Sequence, residues 1–421
     1  MRIKSFFLVL VASAIGLPLT PAQSQDSILT GMVSWFTGDP NAGLGPTPAA
    51  PKLYAEDTCC GDGSCGCCND CCRKYDVWGS VELLMWWGKG TPLPPLVTTS
   101  LPGTPMGNAG VLGIGTTSIL FGNEIGANKM QGGGRVTAGI WLDPDHNVAA
   151  GGRFFGTGGD TTRFAASSTG DPILARPFFN AQLGIEDALL IAYPGFNQGS
   201  VTAHLTTNNI IGAEAFAEIM MSRDSRRRID LIAGYQFFRM DDWLQIDSTS
   251  TINQVGNPLA GFRLDVSDRF STRNQFHGGE FGLRGRMARG QWSLNLLGQI
   301  AIGNMNQQAT IAGTTTTTFL GASNTTDGGL LTQPSNIGTF ERNRFAYIPQ
   351  LIGNLHYHVN PNLSFHIGYN LLWISDVALS GEQIDTTVNL GQPAGPARPA
   401  FAFNDDDYWL QGINWGLNWD F

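Results

Sequence analysis

Tyr408-Trp409-Leu410-Gln411-Gly412-Ile413-Asn414-Trp415-Gly416-Leu417-Asn418-Trp419-Asp420-Phe421 closes the chain, and its reading decides the fold. Ile413, Trp415, Leu417, Trp419 and Phe421 share one side of an extended strand, while Asn414, Gly416, Asn418 and Asp420 share the other, because successive side chains point to opposite faces. The same alternation recurs upstream. Trp292, Leu294, Leu296, Ile300 and Ile302 oppose Ser293, Asn295, Gln299 and Gly303; Ile211, Ala213, Ala215, Ala217, Ile219 and Met221 oppose Gly212, Glu214 and Glu218; Phe281, Leu283 and Met287 oppose Glu280, Arg284 and Arg286. A soluble sandwich alternates too, so alternation leaves two architectures open.

Connection lengths separate them. Ten segments are clear: 76–88, 133–142, 147–157, 209–221, 228–240, 276–288, 291–303, 347–359, 363–375 and 408–421. Short links at 143–146, 222–227, 289–290 and 360–362 alternate strictly with long ones at 89–132, 158–208, 241–275, 304–346 and 376–407. Short turns at one rim, long loops at the other, an even strand count and both termini on the short side describe an outer-membrane barrel. A sandwich has no reason to sort its loops. The expected fold is an all-β, transmembrane, antiparallel up-and-down barrel over 76–421, with periplasmic termini and long extracellular loops. Loops 244–268 (turn at Val255-Gly256-Asn257-Pro258) and 307–335 each have room for a further hairpin, so about twelve strands are expected, within ten to fourteen.

Tryptophan placement agrees. Ten of the eleven Trp lie past residue 75, and nine of those ten (78, 86, 87, 141, 243, 292, 373, 409, 419) fall within three residues of a segment end. Indole favours the membrane interface, which gives such barrels aromatic girdles.

Composition is consistent with this fold and excludes others. The chain holds 54 Gly in 421 residues and only 14% charged residues, with an ordinary 42% hydrophobic; average domains carry about 25% charged residues. That mixture argues against coiled coils and charged disorder. A net charge of −9, with no basic stripe, argues against nucleic-acid binding.

The N-terminus reads as an export signal. Arg2 and Lys4 precede an apolar run from Phe6 to Leu17, and Thr20-Pro21-Ala22 offers small residues for cleavage after Ala22 or Ser24. Residues 1–22 are thus a signal peptide, and 23–75 a Gly/Pro- and Cys-rich periplasmic leader. All seven cysteines (Cys59, Cys60, Cys65, Cys67, Cys68, Cys71 and Cys72) fall in that leader. An oxidising compartment favours disulfides, and an odd number leaves at least one thiol for another molecule, a second copy or an envelope partner. Cys68-x2-Cys71 also fits a zinc knuckle, and a segment without a specific role is the third alternative.

With the apolar set facing lipid, Glu82, Arg135, Arg153, Glu214, Glu218, Asp230, Glu280, Arg284 and Arg286 face inward. The opposite arrangement costs about 2–4 kcal/mol for each midplane Arg. These residues line a narrow charged lumen that passes small solutes or ions by diffusion, or they pair with one another and plug it. In the plugged case the barrel is an envelope anchor cross-linked through its leader. A three-residue turn at 360–362 sets His356 opposite His366, with His358 on the same face, either as lumen filler or as a metal site. Asp405-Asp406-Asp407 reads as a solvated loop end that contacts cations or lipopolysaccharide. No nucleophile and base stand together, so no enzyme is expected, nor any cofactor. The expected partners are outer-membrane lipid and, through the strand ending in Phe421, the outer-membrane assembly machinery.

Several pieces resemble the putative β-barrel porin-7 family of bacterial outer membranes. They are Val77-Trp78-Gly79 with Trp86-Trp87, Pro94-Pro95-Leu96-Val97-Thr98-Thr99, Leu120-Phe121-Gly122, Gly132-Gly133-Gly134-Arg135 with Gly139-Ile140-Trp141-Leu142, Thr272-Arg273-Asn274-Gln275-Phe276, Ile348-Pro349, Gly368-Tyr369-Asn370, and Gly381-Glu382-Gln383-Ile384-Asp385 with Val388-Asn389. Together they span most of 76–421 in order. The resemblance implies a porin-like barrel and brings no substrate or site residue with it.

Overall fold

A computed structural model describes residues 76–421. The signal peptide, the leader and its cysteines lie outside the described residues. Ten strands form the wall: β1 (Val77–Gly88), β2 (Met130–Trp141), β3 (Val148–Thr157), β4 (Asn197–Arg223), β5 (Arg227–Ile252), β6 (Arg263–Arg289), β7 (Trp292–Phe319), β8 (Gly338–Asn360), β9 (Leu363–Val377) and β10 (Asp406–Asp420). Each is antiparallel to its sequence neighbours, and β1 pairs with β10 from Trp78↔Asp420 to Gly88↔Leu410. The circuit of pairings returns to its start through the lower part of the wall, while the upper part of β8, from Gly338 to Pro349, pairs with β7 alone.

The sheet as a whole has twelve strands, of which two stand outside the ring. Asp160–Ser168 pairs with the upper part of β4, and Ala322–Asp327 folds back on the end of β7. Neither suspected loop adds a hairpin to the ring. Residues 244–268 are instead the tops of β5 and β6, and 307–335 carries β7 on to Phe319 before the chain turns back. The alternation in these stretches continues that of the strand below, so the strands lengthen.

That lengthening exposes a pattern the sequence reading did not anticipate: the wall's polarity inverts part-way up. Along β5 the outward residues are Ile229, Leu231 and Tyr235, then Arg239, Asp241, Gln245 and Asp247; the inward ones are Asp230 and Gln236, then Phe238, Met240, Leu244 and Ile246. β6 and β7 do the same. The lower, apolar-out band takes roughly ten residues of each strand, the length a spanning β-strand needs. Above it the strands belong to a water-exposed head with an apolar interior. In β4 the switch coincides with a bulge between Asn208 and Ile211, where Asn209 adopts φ 51°.

The head is filled from within. Val97–Ser100, Thr117–Phe121, Leu174–Asn180 and Ile185–Ala192 form a small sheet, joined by Thr387–Val388. Their apolar faces meet Leu205, Leu244, Ile246, Phe270 and Ile311 of the wall in one core. Two buried carboxylates fasten the loops. Asp242 accepts hydrogen bonds from Ser380 N (2.8 Å), Ser380 Oγ (2.5 Å), Thr207 Oγ1 (2.7 Å) and Thr91 Oγ1 (3.2 Å), and burial pushes its pKa up. Asp268 accepts from Leu331 N (2.9 Å), Thr332 N (2.9 Å), Thr332 Oγ1 (2.7 Å) and Arg176 Nη2 (2.6 Å).

The tryptophan expectation needs correcting. Trp87, Trp292, Trp373 and Trp415 do face outward and are exposed, but Trp78, Trp86 and Trp141 turn into the lumen, and Trp243 sits above the apolar band. Inside, a Trp gains packing rather than an interface position, because a narrow barrel has space that only large side chains fill.

Candidate functional site in the barrel lumen

Every ionisable residue assigned to the lumen from the sequence points inward, and strand register decides the partners. Glu82 and Arg135 are directly opposite on β1 and β2, and Arg153 opposes Glu214 across β3 and β4. Arg135 Nε donates to Glu82 Oε1 at 3.0 Å, and its Nη2 closes on Oε2. Arg153 Nη1 reaches Glu214 Oε2 at 2.7 Å. Arg284 and Arg286 both bond Glu218, and Arg286 lies 3.2 Å from Asp230. Glu280 takes an amide hydrogen from Gln299 at 3.4 Å.

One member of the network was missed. Arg228 is fully buried, donates from Nε to Asp230 Oδ1 at 2.5 Å, and lies 4.6 Å over the Trp141 ring. It shares the parity of Asp230, so extending the alternation by one step would have found it. With Arg228 included, the network holds five carboxylates (Glu82, Glu214, Glu218, Asp230, Glu280) and five arginines (Arg135, Arg153, Arg228, Arg284, Arg286), a formal sum of zero.

The histidines meet as register demands, with His356 opposite His366. Their rings are 4.9 Å apart, and His358 stacks 6.5 Å from His356. Asn418 Nδ2 lies within hydrogen-bonding distance of Nδ1 of both His356 and His366, at 3.0 Å and 2.8 Å. His366 Nε2 faces Glu82 Oε2 at 3.4 Å. Ser293 Oγ bonds His358 Nε2 at 2.8 Å. The spacing serves hydrogen bonding: among the described residues no group of His, Cys, Asp or Glu is arranged to hold a metal ion.

Below and around these groups lies a cavity of about 400 Å³, lined by Trp78, Glu82, Arg135, Arg284, Arg286 and His356 among others, with Asp76 and Phe421 at its periplasmic mouth. Above them lies an apolar layer, edged by inward polar side chains such as Gln131, Asn274 and Gln307. Leu84, Trp86, Phe155, Phe238, Met240, Phe276, Met305, Ile348, Leu372 and Leu410 form one cluster, none more than 1% exposed. Trp86 meets Phe155 at 5.3 Å, and Gly212 makes room for that phenylalanine, since a Cβ there would lie 2.1 Å from its ring. At the head, Asp405 pairs with Arg342 (2.6 Å), and Asp406 with Lys89. The acidic triplet is therefore partly neutralised by protein cations.

The family model described as Putative beta barrel porin-7 matches residues 78–421. The chain belongs to this family. As a porin-7 protein it is a β-barrel of the bacterial outer membrane, and the lumen just described is that of a porin-like barrel. None of the curated proteins matches it. Among solved structures it is similar to the outer membrane protease OmpT from Escherichia coli, at 10% identity and a TM-score of 0.39, covering 82% of this chain and 97% of that one. A FadL homologue from Pseudomonas aeruginosa is similar at 9% identity and a TM-score of 0.22, covering 83% and 90%. An anion-selective porin from Comamonas acidovorans follows at 10% identity and a TM-score of 0.14, covering 82% and 99%.

Proposed function

We propose that this porin-7 protein is a plugged outer-membrane barrel that anchors a folded head at the cell surface and conducts no solute at rest. The observation that carries this reading is the apolar layer around Trp86, Phe155, Phe238 and Phe276, whose side chains are almost wholly buried. A conducting lumen needs a continuous path of water or polar groups. Ten strands make a bore that side chains nearly fill, far from the 16–18 that leave an open channel. The charge-balanced network below supports the same reading.

In this reading the leader is the periplasmic link, because Asp76 enters β1 at the rim with the short turns. Its cysteines, 59–72, would join the barrel to a second copy or to other envelope material. Non-reducing gels of outer membranes test this. A ladder of oligomers that collapses under reductant and vanishes after Cys→Ser changes across 59–72 is expected. A wild-type chain that is monomeric without reductant would overturn the cross-link.

Passive diffusion of small solutes or ions is the second reading. It is favoured by the charged cavity on the periplasmic side and by the porin description of the family. It requires the apolar layer to part.

A further inference from the structure

We propose that the outer face of the wall, just above the lipid-facing band, carries a site for the phosphorylated headgroup of an outer-leaflet glycolipid. The bulge at Asn209 opens it. Where β4 loses register with β5, the outward residues Asn208, Asp241, Arg273 and Gln308 form one row across β4 to β7, and Thr206, Trp243, Ser271 and Thr310 form the next. Between these rows lies a cleft of about 350 Å³, lined by Asn208, Asn209, Asp241, Trp243, Arg269 and Arg273.

Its chemistry suits a phosphate. Arg239 and Arg273 pair with Asp241, Arg269 lies beside them in the cleft, and the other carboxylate of the lining, Asp242, is turned inward and bonded to Ser380, Thr207 and Thr91, in a chain of net charge −9. Asp241 is already engaged: it accepts from Arg239 Nη2 (2.7 Å), Arg273 Nε (3.1 Å) and Asn209 Nδ2 (2.8 Å). It therefore positions the cations rather than competing for a ligand. The Arg273 side chain is 46% exposed and holds Asp241 through Nε, at one corner of its guanidinium fork. Arg269 is laid across the Trp243 ring at 4.9 Å and steadied by Gln245 Oε1 (3.2 Å) and Ser271 Oγ (3.3 Å). Two guanidinium forks so held can bind a phosphate through paired N–H···O bonds.

The position selects a lipid as the source of that phosphate. A few residues below the cleft, the outward side chains are Ile211, Phe237 and Ile302 of the lipid-facing band. A headgroup in the cleft can keep its acyl chains against that band, which a soluble phosphate cannot use.

The test uses full-length protein in non-ionic detergent, titrated with a bis-phosphorylated diglucosamine lipid and with the same lipid dephosphorylated, with bound lipid read by native mass spectrometry. One phosphorylated lipid per chain is expected, with no comparable binding of the dephosphorylated form. Arg269→Gln and Arg273→Gln should each weaken binding about tenfold, the loss of a charge-assisted pair. Arg263→Gln, higher on the same strand and paired with Asp265, should change nothing. Equal binding of both lipids by the wild-type protein would overturn the site without recourse to any variant, as would wild-type affinity in the double Gln variant. Displacement of the lipid by millimolar inorganic phosphate would overturn the lipid assignment and leave a soluble anion as the ligand.

Discussion

The Glu82–Arg135 pair reports directly on whether water fills the lumen below the apolar layer. Both side chains are at most 5% exposed. Glu82 also accepts from Asn414 Nδ2 at 2.6 Å, and Arg135 Nη1 donates to Asn370 at 2.9 Å. Arg135→Met removes the only guanidinium bonded to Glu82 among the described residues and leaves a carboxylate held by one amide and one imidazole. In a dry lumen, breaking a buried pair this way costs about 3–5 kcal/mol. In a water-filled lumen, the same pair is worth about 0.2–1 kcal/mol. Replacing both partners separates the alternatives further: Glu82→Gln with Arg135→Met removes the stranded charge, so it should cost about 1–2 kcal/mol, less than the single change. The assay is reversible urea unfolding of the refolded barrel in lipid or detergent, followed by tryptophan emission, for wild type, both single variants and the double. A loss below about 1 kcal/mol for Arg135→Met, with no rescue in the double variant, would show that water reaches the pair from the periplasmic cavity and would refute a dry charge network.

Other perturbations test the remaining parts. Asp242→Ala strands the Ser380 N–H and three hydroxyls in the head, so it should cost about 2–3 kcal/mol and make 376–385 the first site of limited proteolysis. Burial, with Asp406 and Asp405 nearby, pushes Glu382 up to about 7 from its ordinary 4.5. The folded head therefore holds a proton that the unfolded chain releases, and stability should fall as pH rises from 4.5 through 7. For a group this solvated the fall is discounted to about 1–2 kcal/mol; Glu382→Gln should abolish this slope in a thermal-melt pH series. Trp86→Ala combined with Phe238→Ala should thin the apolar layer enough to give conductance steps that the wild-type protein lacks, while costing several kcal/mol of stability.

The lower barrel was legible because lipid outside and polar groups inside force a clean period of two. Ile413 to Phe421 shows this, and β1 to β10 overlie the ten segments read from sequence. Partners such as Glu82 and Arg135 were legible as lumen residues but not as a pair, since register across strands depends on turns and bulges. The head was not legible. Above Phe238 the same parity carries Met240, Leu244 and Ile246 inward and Arg239, Asp241 and Gln245 outward, which inverts the rule that worked below. Read by the lower rule, these residues look like loop. A plugged lumen was legible as an alternative, by charge pairing, but its apolar layer was not: Leu84, Trp86 and Leu410 are scattered apolar residues on an otherwise polar face, and only closure of the ring brings them together with Phe155, Phe238 and Phe276.

Single-channel recording of the refolded full-length protein in planar bilayers tests the closed lumen most directly. An unbroken baseline is predicted at applied voltages that leave the barrel folded. Long-lived, uniform conductance steps from the wild-type chain would contradict it.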